Sequence, residues 1–272
     1  VDPHNVTVCT ASPSMSENHS IPSNHRGPSP KQKPSVRGCS DVAPLQITAQ
    51  VSRSLGATVN HRTFFMSMKK YYGHTLLYLH ETIALGSGRG AQFAAAFGEL
   101  YQPMMEELGA RLFAIWETTP YNGHWPQVTV IWEIDAFADY ARIGRAQSAG
   151  GSHHDAAAKW SQYLSGLGAT GEGRIMYAGK YNKTLAQLRE AEFGTGLVIQ
   201  EIMQTKPGRQ DDYIRELERL YVPWSESTGK RWLGSFITTF RFNEVIHYWA
   251  LDGDWDCFEN HYPSWKDSPP AE

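Results

Sequence analysis

The chain has 272 residues, 41% hydrophobic and 19% charged, which is enough for one large or two small domains with real cores. Its 25 basic and 28 acidic residues leave a net charge of -3, and no dense Lys/Arg stripe supplies the electrostatic footprint of a nucleic-acid or anionic-membrane binder. No apolar run approaches the roughly 18–20 residues of a membrane-spanning helix, and Cys9, Cys39 and Cys257 show neither disulfide density nor metal-type spacing. The expectation is a cytoplasmic protein with no structural metal and with no nucleic-acid or membrane partner.

Residues 1–63 contain no Phe, Tyr or Trp, and Ser, Pro and Asn crowd the first 45. Such a stretch buries too little apolar surface to offset its ordering entropy, so residues 1–65 are expected to be a disordered extension, with the folded part starting near Met66 and Met68. The alternation Leu77–Leu79–Glu81–Ile83 predicts a strand, and Gly88-Arg89 a turn. Phe93, Phe97, Leu100, Tyr101, Met104 and Leu108 predict an amphipathic helix that Pro103 kinks and Gly109 ends. RLFAIWETT and QVTVIWEID predict a β-hairpin joined through PYNGHWP, Asp135 is placed as the N-cap of the next helix, and GEGRIMYAGK predicts a fourth strand.

The same order returns 120 residues on. Glu81–Thr119 and Glu201–Thr239 share 11 of 39 positions, against about two expected by chance, so an internal duplication is the reading. The second copy runs through Leu197–Ile199–Glu201–Met203, Gly208-Arg209, a helix with Tyr213, Leu217, Leu220, Tyr221, Pro223 and Trp224, then RWLGSFITT and EVIHYWALD, with Asp252 as a further N-cap. After Asn260 the Pro-rich tail offers no fourth strand, so another segment or subunit is expected to complete that sheet edge. Each copy reads β-α-β-β-α-β, the split βαβ order. The fold class is α+β: two tandem ferredoxin-like units, residues 74–182 and 195–262, pairing as an intramolecular α/β barrel.

Lys206-Pro207-Gly208, Asn243-Glu244-Val245, His247 and Trp249 resemble the NIPSNAP-like branch of the dimeric α/β-barrel superfamily. The resemblance spans about Leu76 to His261; the first copy keeps only Gly88, Trp132 and Asp135 of the pattern. It implies two ferredoxin-like units paired sheet to sheet with helices outside and a pocket between sheet and helices. The chain departs from the branch at Glu81 and Glu201, where an Arg tends to stand, so no role of that Arg transfers. The superfamily hosts haem proteins, cofactor-free monooxygenases, isomerases, cyclases and dehydratases, which leaves the reaction open.

Glu81 and Glu201 interrupt otherwise apolar strand faces. A desolvated carboxyl has a raised pKa that suits acid or base work near neutral pH, whereas a structural ion pair with Arg111 or Arg231 is the competing reading. Glu117 and Glu133 belong to the first copy alone, so Glu81, Glu117 and Glu133 are the catalytic candidates, an acidic cluster if the strands bring them to one face and solvent-facing residues if they do not. Trp116, Trp132, Tyr140, His247 and Trp249 are the candidate lining of a pocket for a small apolar or aromatic molecule, with core packing as their other reading. His80 points away from Glu81 on its strand. No phosphate loop, dinucleotide fingerprint, nucleophile elbow or HExxH is present. Three functions are therefore carried forward: a cofactor-independent isomerase, lyase or monooxygenase using a buried carboxylate; a non-catalytic NIPSNAP-type binding or scaffold protein; and a haem protein through His153 or His154, which the resemblance suggests. A homodimer is compatible with each.

Overall fold

Eight β-strands are present among the described residues of this computed structural model, which are 6–11, 76–122, 124–179, 182–241, 243–251 and 255–256. They are β1 (Val6–Ala11), β2 (Leu77–Ala84), β3 (Arg111–Thr118), β4 (Gln127–Ile134), β5 (Thr170–Ala178), β6 (Leu197–Gln204), β7 (Lys230–Thr238) and β8 (Glu244–Leu251). β2 to β8 form one antiparallel sheet in the order β3-β4-β2-β5-β7-β8-β6, and β1 pairs with both outer strands to close it into a barrel. All these residues lie in one compact unit.

The predicted strands of 77–178 and 197–251 all form. Residues 1–65 differ from expectation at Val6–Ala11, which form a strand. Val6, Thr7, Val8 and Thr10 are β-branched and suit a pleated ladder, and the free edges of β3 and β6 supply the hydrogen bonds that stabilise it. The remainder of that stretch, Cys39, Asp252 and Cys257 lie outside the described residues. β1 occupies the place beside β6 that β5 occupies beside β2, so the second sheet edge is completed from the front of the chain.

Helix α1 covers residues 90–107 and α5 covers 210–226. Both change pitch midway: α-helical Gly90–Ala96 and Gln210–Glu216 lead into π-helical Phe97–Tyr101 and Leu217–Tyr221, and α-helix resumes at Gln102–Glu107 and Val222–Glu226. Pro103 and Pro223 fall in the first turn of the resumed helix, where a missing N–H costs little, so a π-turn stands where a kink was expected. Gly88 and Gly208 turn into these helices and Gly109 and Gly229 turn out of them, all at positive φ. Helices α2 (Phe137–Ser148), α3 (Ser152–Gly166) and α4 (Leu185–Glu190) complete the set. Ala136, not Asp135, is the N-cap of α2. Its N–H donates to Asp139 Oδ2 at 3.0 Å, while Asp135 is drawn off by Arg111 at 2.7 Å.

Strand alternation divides the core. Leu77, Leu79, Val130, Trp132 and Ile134 pack outward against Phe93, Phe97 and Met104 of α1 and Trp160 of α3. Tyr78, Trp116, Ile131, Met176, Phe236, Ile246 and Tyr248 fill the barrel interior. On the outer side of the second half, Leu197, Ile199, Trp249 and Leu251 pack against Tyr221 and Val222 of α5. β3 and β7 each carry one bulge, at Leu112/Ala114 and Trp232/Gly234.

Two histidines are sealed into this framework. His80 faces the interior, where Gln200 Nε2 lies 3.0 Å from its Nε2, and His247 sits outside β8 between Ser235 Oγ (2.8 Å) and Tyr213 Oη (3.2 Å). Burial, helped at His80 by Arg174, lowers each pKa to about 3, so both stay neutral in the folded state. The unfolded chain takes up these protons near pH 6.5. The contribution is therefore fully present above that value and is lost as pH falls towards 3, at up to about 1.4 kcal/mol per pH unit for each histidine. Urea midpoints should drop between pH 6.5 and 4.5, and the drop should be shallower in His247→Gln; identical slopes would show that His247 is not held neutral.

Candidate functional site

Period-two alternation puts Glu81 on the helix-facing side of β2, among the aromatic rings of α1. Its Oε1 accepts a hydrogen bond from Tyr101 Oη at 2.7 Å and its Oε2 one from Trp132 Nε1 at 3.4 Å. Tyr101 is the last residue of the π-turn, and the wider turn aims its ring at the sheet. Phe97 stacks on Trp132 at 5.7 Å, and Trp160 of α3 lies flat on Tyr101 at 5.1 Å and 11°. Desolvation raises the Glu81 pKa, with the Tyr101 and Trp132 hydrogen bonds acting against it. Neither Arg111 nor Arg231 holds these carboxyls: Arg111 pairs with Glu133 and Asp135, and Arg231 donates to the Gly194 carbonyl and covers the Phe193 ring.

The second half repeats the arrangement. Glu201 Oε2 accepts from Trp249 Nε1 at 3.0 Å, and Tyr221 again ends a π-turn, its ring 5.7 Å from that of Trp249. Desolvation raises the Glu201 pKa, opposed by the Trp249 bond and by Lys230. Lys230, itself buried, places its Nζ 5.9 Å from the Tyr221 ring and 5.7 Å from the Trp249 ring. Trp232 packs edge-on against Trp249 at 4.5 Å. His247 adds a neutral relay from Ser235 on β7 to Tyr213 on α5.

The expected acidic cluster does not assemble. Glu133 precedes the outward side of Ile134 and faces the interior, where it pairs with Arg111 at 3.0 Å and accepts from Tyr78 Oη and the Leu185 N–H, both at 3.0 Å. Three donors make it a structural carboxylate on the opposite face from Glu81. Glu117 shares the helix-facing side but lies over the first turn of α1, where a Cβ added to Gly90 would stand 2.8 Å from both its oxygens. The expected pocket lining also separates. Trp116 is in the interior against Tyr248 at 5.1 Å, Trp132 is outside with Glu81, His247 and Trp249 are outside in the second half, and Tyr140 is exposed on α2. His153 and His154 are at the start of α3, beside Glu107 (3.2 Å) and Asp155 (3.4 Å). No group of three or more His, Cys, Asp or Glu suited to a metal ion occurs among the described residues, and no helix of theirs is long and apolar enough to cross a membrane.

No family model and no curated protein matches the chain. Among solved structures it is similar to a NIPSNAP family protein with unknown function from Agrobacterium tumefaciens, at 16% identity and a TM-score of 0.35, over 41% of this chain and 96% of that one. A second NIPSNAP family protein from Agrobacterium tumefaciens gives 17% identity and a TM-score of 0.34 over 40% and 90%. An uncharacterized NIPSNAP-like domain protein from Burkholderia xenovorans gives 17% and 0.33 over 41% and 91%. Lys206-Pro207-Gly208 forms the turn from β6 into α5, and Asn243 immediately precedes β8. Likeness at these identities carries no activity across.

Tyr101, Tyr221 and Lys230 were not among the predicted site residues, although both tyrosines stand 20 residues after a repeated Glu. Because the Tyr101 bond lowers the Glu81 pKa, Tyr101→Phe should move the Glu81 titration to higher pH, and Lys230→Met should do the same for Glu201. Carbon-detected NMR of the side-chain carboxyls measures both, and a Glu81 titration unmoved by Tyr101→Phe would contradict the assigned hydrogen bond. A raised carboxyl pKa also makes the folded state lose stability as pH rises from about 4.3 to the folded value. Glu81→Gln should therefore weaken that decline with rising pH in urea titrations.

Proposed function

We propose that this chain binds a small, largely apolar molecule against the helix-facing side of its sheet and moves a proton on it with a buried carboxyl, without a cofactor, as an isomerase, lyase or monooxygenase. The observation that carries the reading is the paired trio: Glu81 with Tyr101 and Trp132, and Glu201 with Tyr221 and Trp249. In each, burial raises the pKa of the carboxyl, an indole N–H donates to it, with Tyr101 adding a second bond at Glu81 alone, and the surrounding rings suit an apolar or aromatic ligand. A carboxyl held protonated to higher pH can donate to a developing carbanion or oxyanion and take the proton back. Glu81 and Glu201 fill that role; Glu117 and Glu133 have no part in it. The second half is the better equipped, because Lys230 and the His247–Tyr213 pair adjoin its carboxyl.

Residues 77–178, and 197–251 together with β1, are taken as two ferredoxin-like units within one polypeptide. Their strand orders, β3-β4-β2-β5 and β7-β8-β6-β1, correspond position by position, and the pitch change in α1 recurs in α5.

A thermal-shift screen of small aromatic and alicyclic compounds on the full chain supplies the ligand. Its turnover should then fall by roughly 10²–10⁴-fold in Glu81→Gln or Glu201→Gln, with KM changed only a few-fold. Trp249→Ala should weaken binding itself. Ligand binding with no turnover in wild type, and none lost in either Gln variant, replaces this with the NIPSNAP-type scaffold reading. A Soret band on haem addition that disappears in His153→Ala or His154→Ala replaces it with the haem reading.

A further inference from the structure

The two halves part most clearly in the row of side chains that runs through each carboxyl. On the helix-facing side of the first half, Glu81 stands opposite Val130 and Val130 opposite Ile115, with Phe93 of α1 packed in the same cluster. The equivalent row of the second half is Glu201, His247 and Ser235, and Tyr213 of α5 takes the place of Phe93. Three apolar residues are thus exchanged together for three hydrogen-bonding ones that are joined to each other: His247 Nδ1 lies 2.8 Å from Ser235 Oγ, and its Nε2 lies 3.2 Å from Tyr213 Oη. Apolar side chains fill such a row with no loss of stability, as they do in the first half, so packing alone does not account for the exchange.

The direction of these bonds follows from burial. Ser235 and His247 are fully buried, and among the described residues the one acceptor for the Ser235 hydroxyl hydrogen is His247 Nδ1. Ser235 therefore donates to Nδ1, the single hydrogen of the neutral ring is on Nε2, and Nε2–H donates to Tyr213 Oη. That turns the phenol's own hydrogen away from His247. Tyr213 and Glu201 are both only half-buried, so a ligand can reach them. Glu201 accepts one hydrogen bond, from Trp249 to Oε2, where Glu81 accepts two, and its Oε1 is left open to take a proton. Burial, and then the Glu201 charge, raise the Tyr213 pKa, so the phenol keeps its hydrogen beside the carboxylate. A carboxylate and a neutral O–H donor side by side are what an enolisation needs: one takes hydrogen from carbon, and the other binds the oxygen on which charge collects. The first half lacks the second group, because Phe93 has no donor and Tyr101 donates to Glu81 itself.

We infer that the second half takes a carbonyl compound with an acidic hydrogen on the neighbouring carbon, Glu201 Oε1 removing that hydrogen while Tyr213, positioned by His247 and Ser235, donates to the carbonyl oxygen. This rests on the proton-transfer reading above and names its substrate class. The carbon–hydrogen bond breaks, its electron pair forms the carbon–carbon double bond of the enolate, and the carbonyl pair moves to oxygen, where the Tyr213 hydroxyl holds it. Return of the proton from Glu201 to the same carbon gives hydrogen exchange, and return to a conjugated carbon gives isomerisation; either restores the carboxylate.

Exchange of the C1 hydrogens of 2-tetralone for deuterium, followed by proton NMR in heavy water with the full chain, tests this. Wild type should exchange them faster than buffer does, and Glu201→Gln should abolish the acceleration. Tyr213→Phe, the residue type the first half already carries at this place, should lower the saturated rate by about 10²-fold with KM changed only a few-fold. 2-Naphthol has the planar shape and hydroxyl of the enol, and Tyr213→Phe should weaken its binding by about 10-fold while leaving naphthalene binding unchanged. His247→Gln should reduce the same preference for naphthol over naphthalene, a readout that a purely structural role of the ring does not move. Exchange that Glu201→Gln abolishes and Tyr213→Phe leaves intact overturns the inference while the proton-transfer reading stands. No acceleration by wild type also overturns it, and the ligand found by thermal shift then tests the broader reading separately.

Discussion

Side-chain alternation along the β-strands is the constraint on which every other feature depends. Because successive residues of β2 face opposite ways, His80 goes to the interior and Glu81 to the helices, although they are neighbours in sequence. The same rule separates Trp132 from Glu133 on β4 and Tyr248 from Trp249 on β8. The molecule thus has two chemically distinct compartments. The outer one holds the Glu81 and Glu201 carboxyls among aromatic rings; the inner one is filled by apolar and aromatic side chains with a few paired polar and charged groups among them.

The inner compartment also joins the halves. Arg174 on β5 reaches Glu244 on β8, Arg241 ties the same carboxylate to Glu172, and Gln200 on β6 meets His80 on β2. Buried pairs of this kind add little net stability compared with apolar packing, but removing one partner strands a charge and costs about 3–5 kcal/mol. Their effect is to fix which strands face which. Asn182 acts similarly at the seam after β5, where its amide both accepts from Ser235 N (2.9 Å) and donates to Ser235 O (2.7 Å), and Gly234 leaves the room it needs.

Much of the fold was legible in the sequence, because period-two runs such as LYLHETIA and the glycines at 88, 109, 208 and 229 are local signals that the structure follows directly. The raised carboxyl of Glu81 was legible for the same reason, as a lone acid on an apolar strand face. The Glu81, Glu117 and Glu133 cluster was not, since it fails on the pairing of β4 with β2, in which Glu81 stands opposite Val130 and Glu133 opposite the interior residue Tyr78. Tyr101 was legible as part of the apolar helix face but not as the donor to Glu81, since no composition signal marks the π-turn it ends. β1 is six residues long and stands in a stretch whose average composition argues against order, so its pairing comes from the sheet edges rather than from its own sequence.

The position of β1 in the chain makes closure of the barrel a long-range pairing. Cys9 pairs with Thr118 and Val6 with Glu201, partners on the order of a hundred or two hundred residues away, whereas β3 and β4 or β7 and β8 meet across short connections. Local hairpins close early because little chain entropy is lost in bringing their ends together. β1 joins the sheet only through the edges of β3 and β6, so both of its ladders are long-range. The ring is closed by a segment distant in sequence from both of its neighbours, and without it β3 and β6 would be free edges.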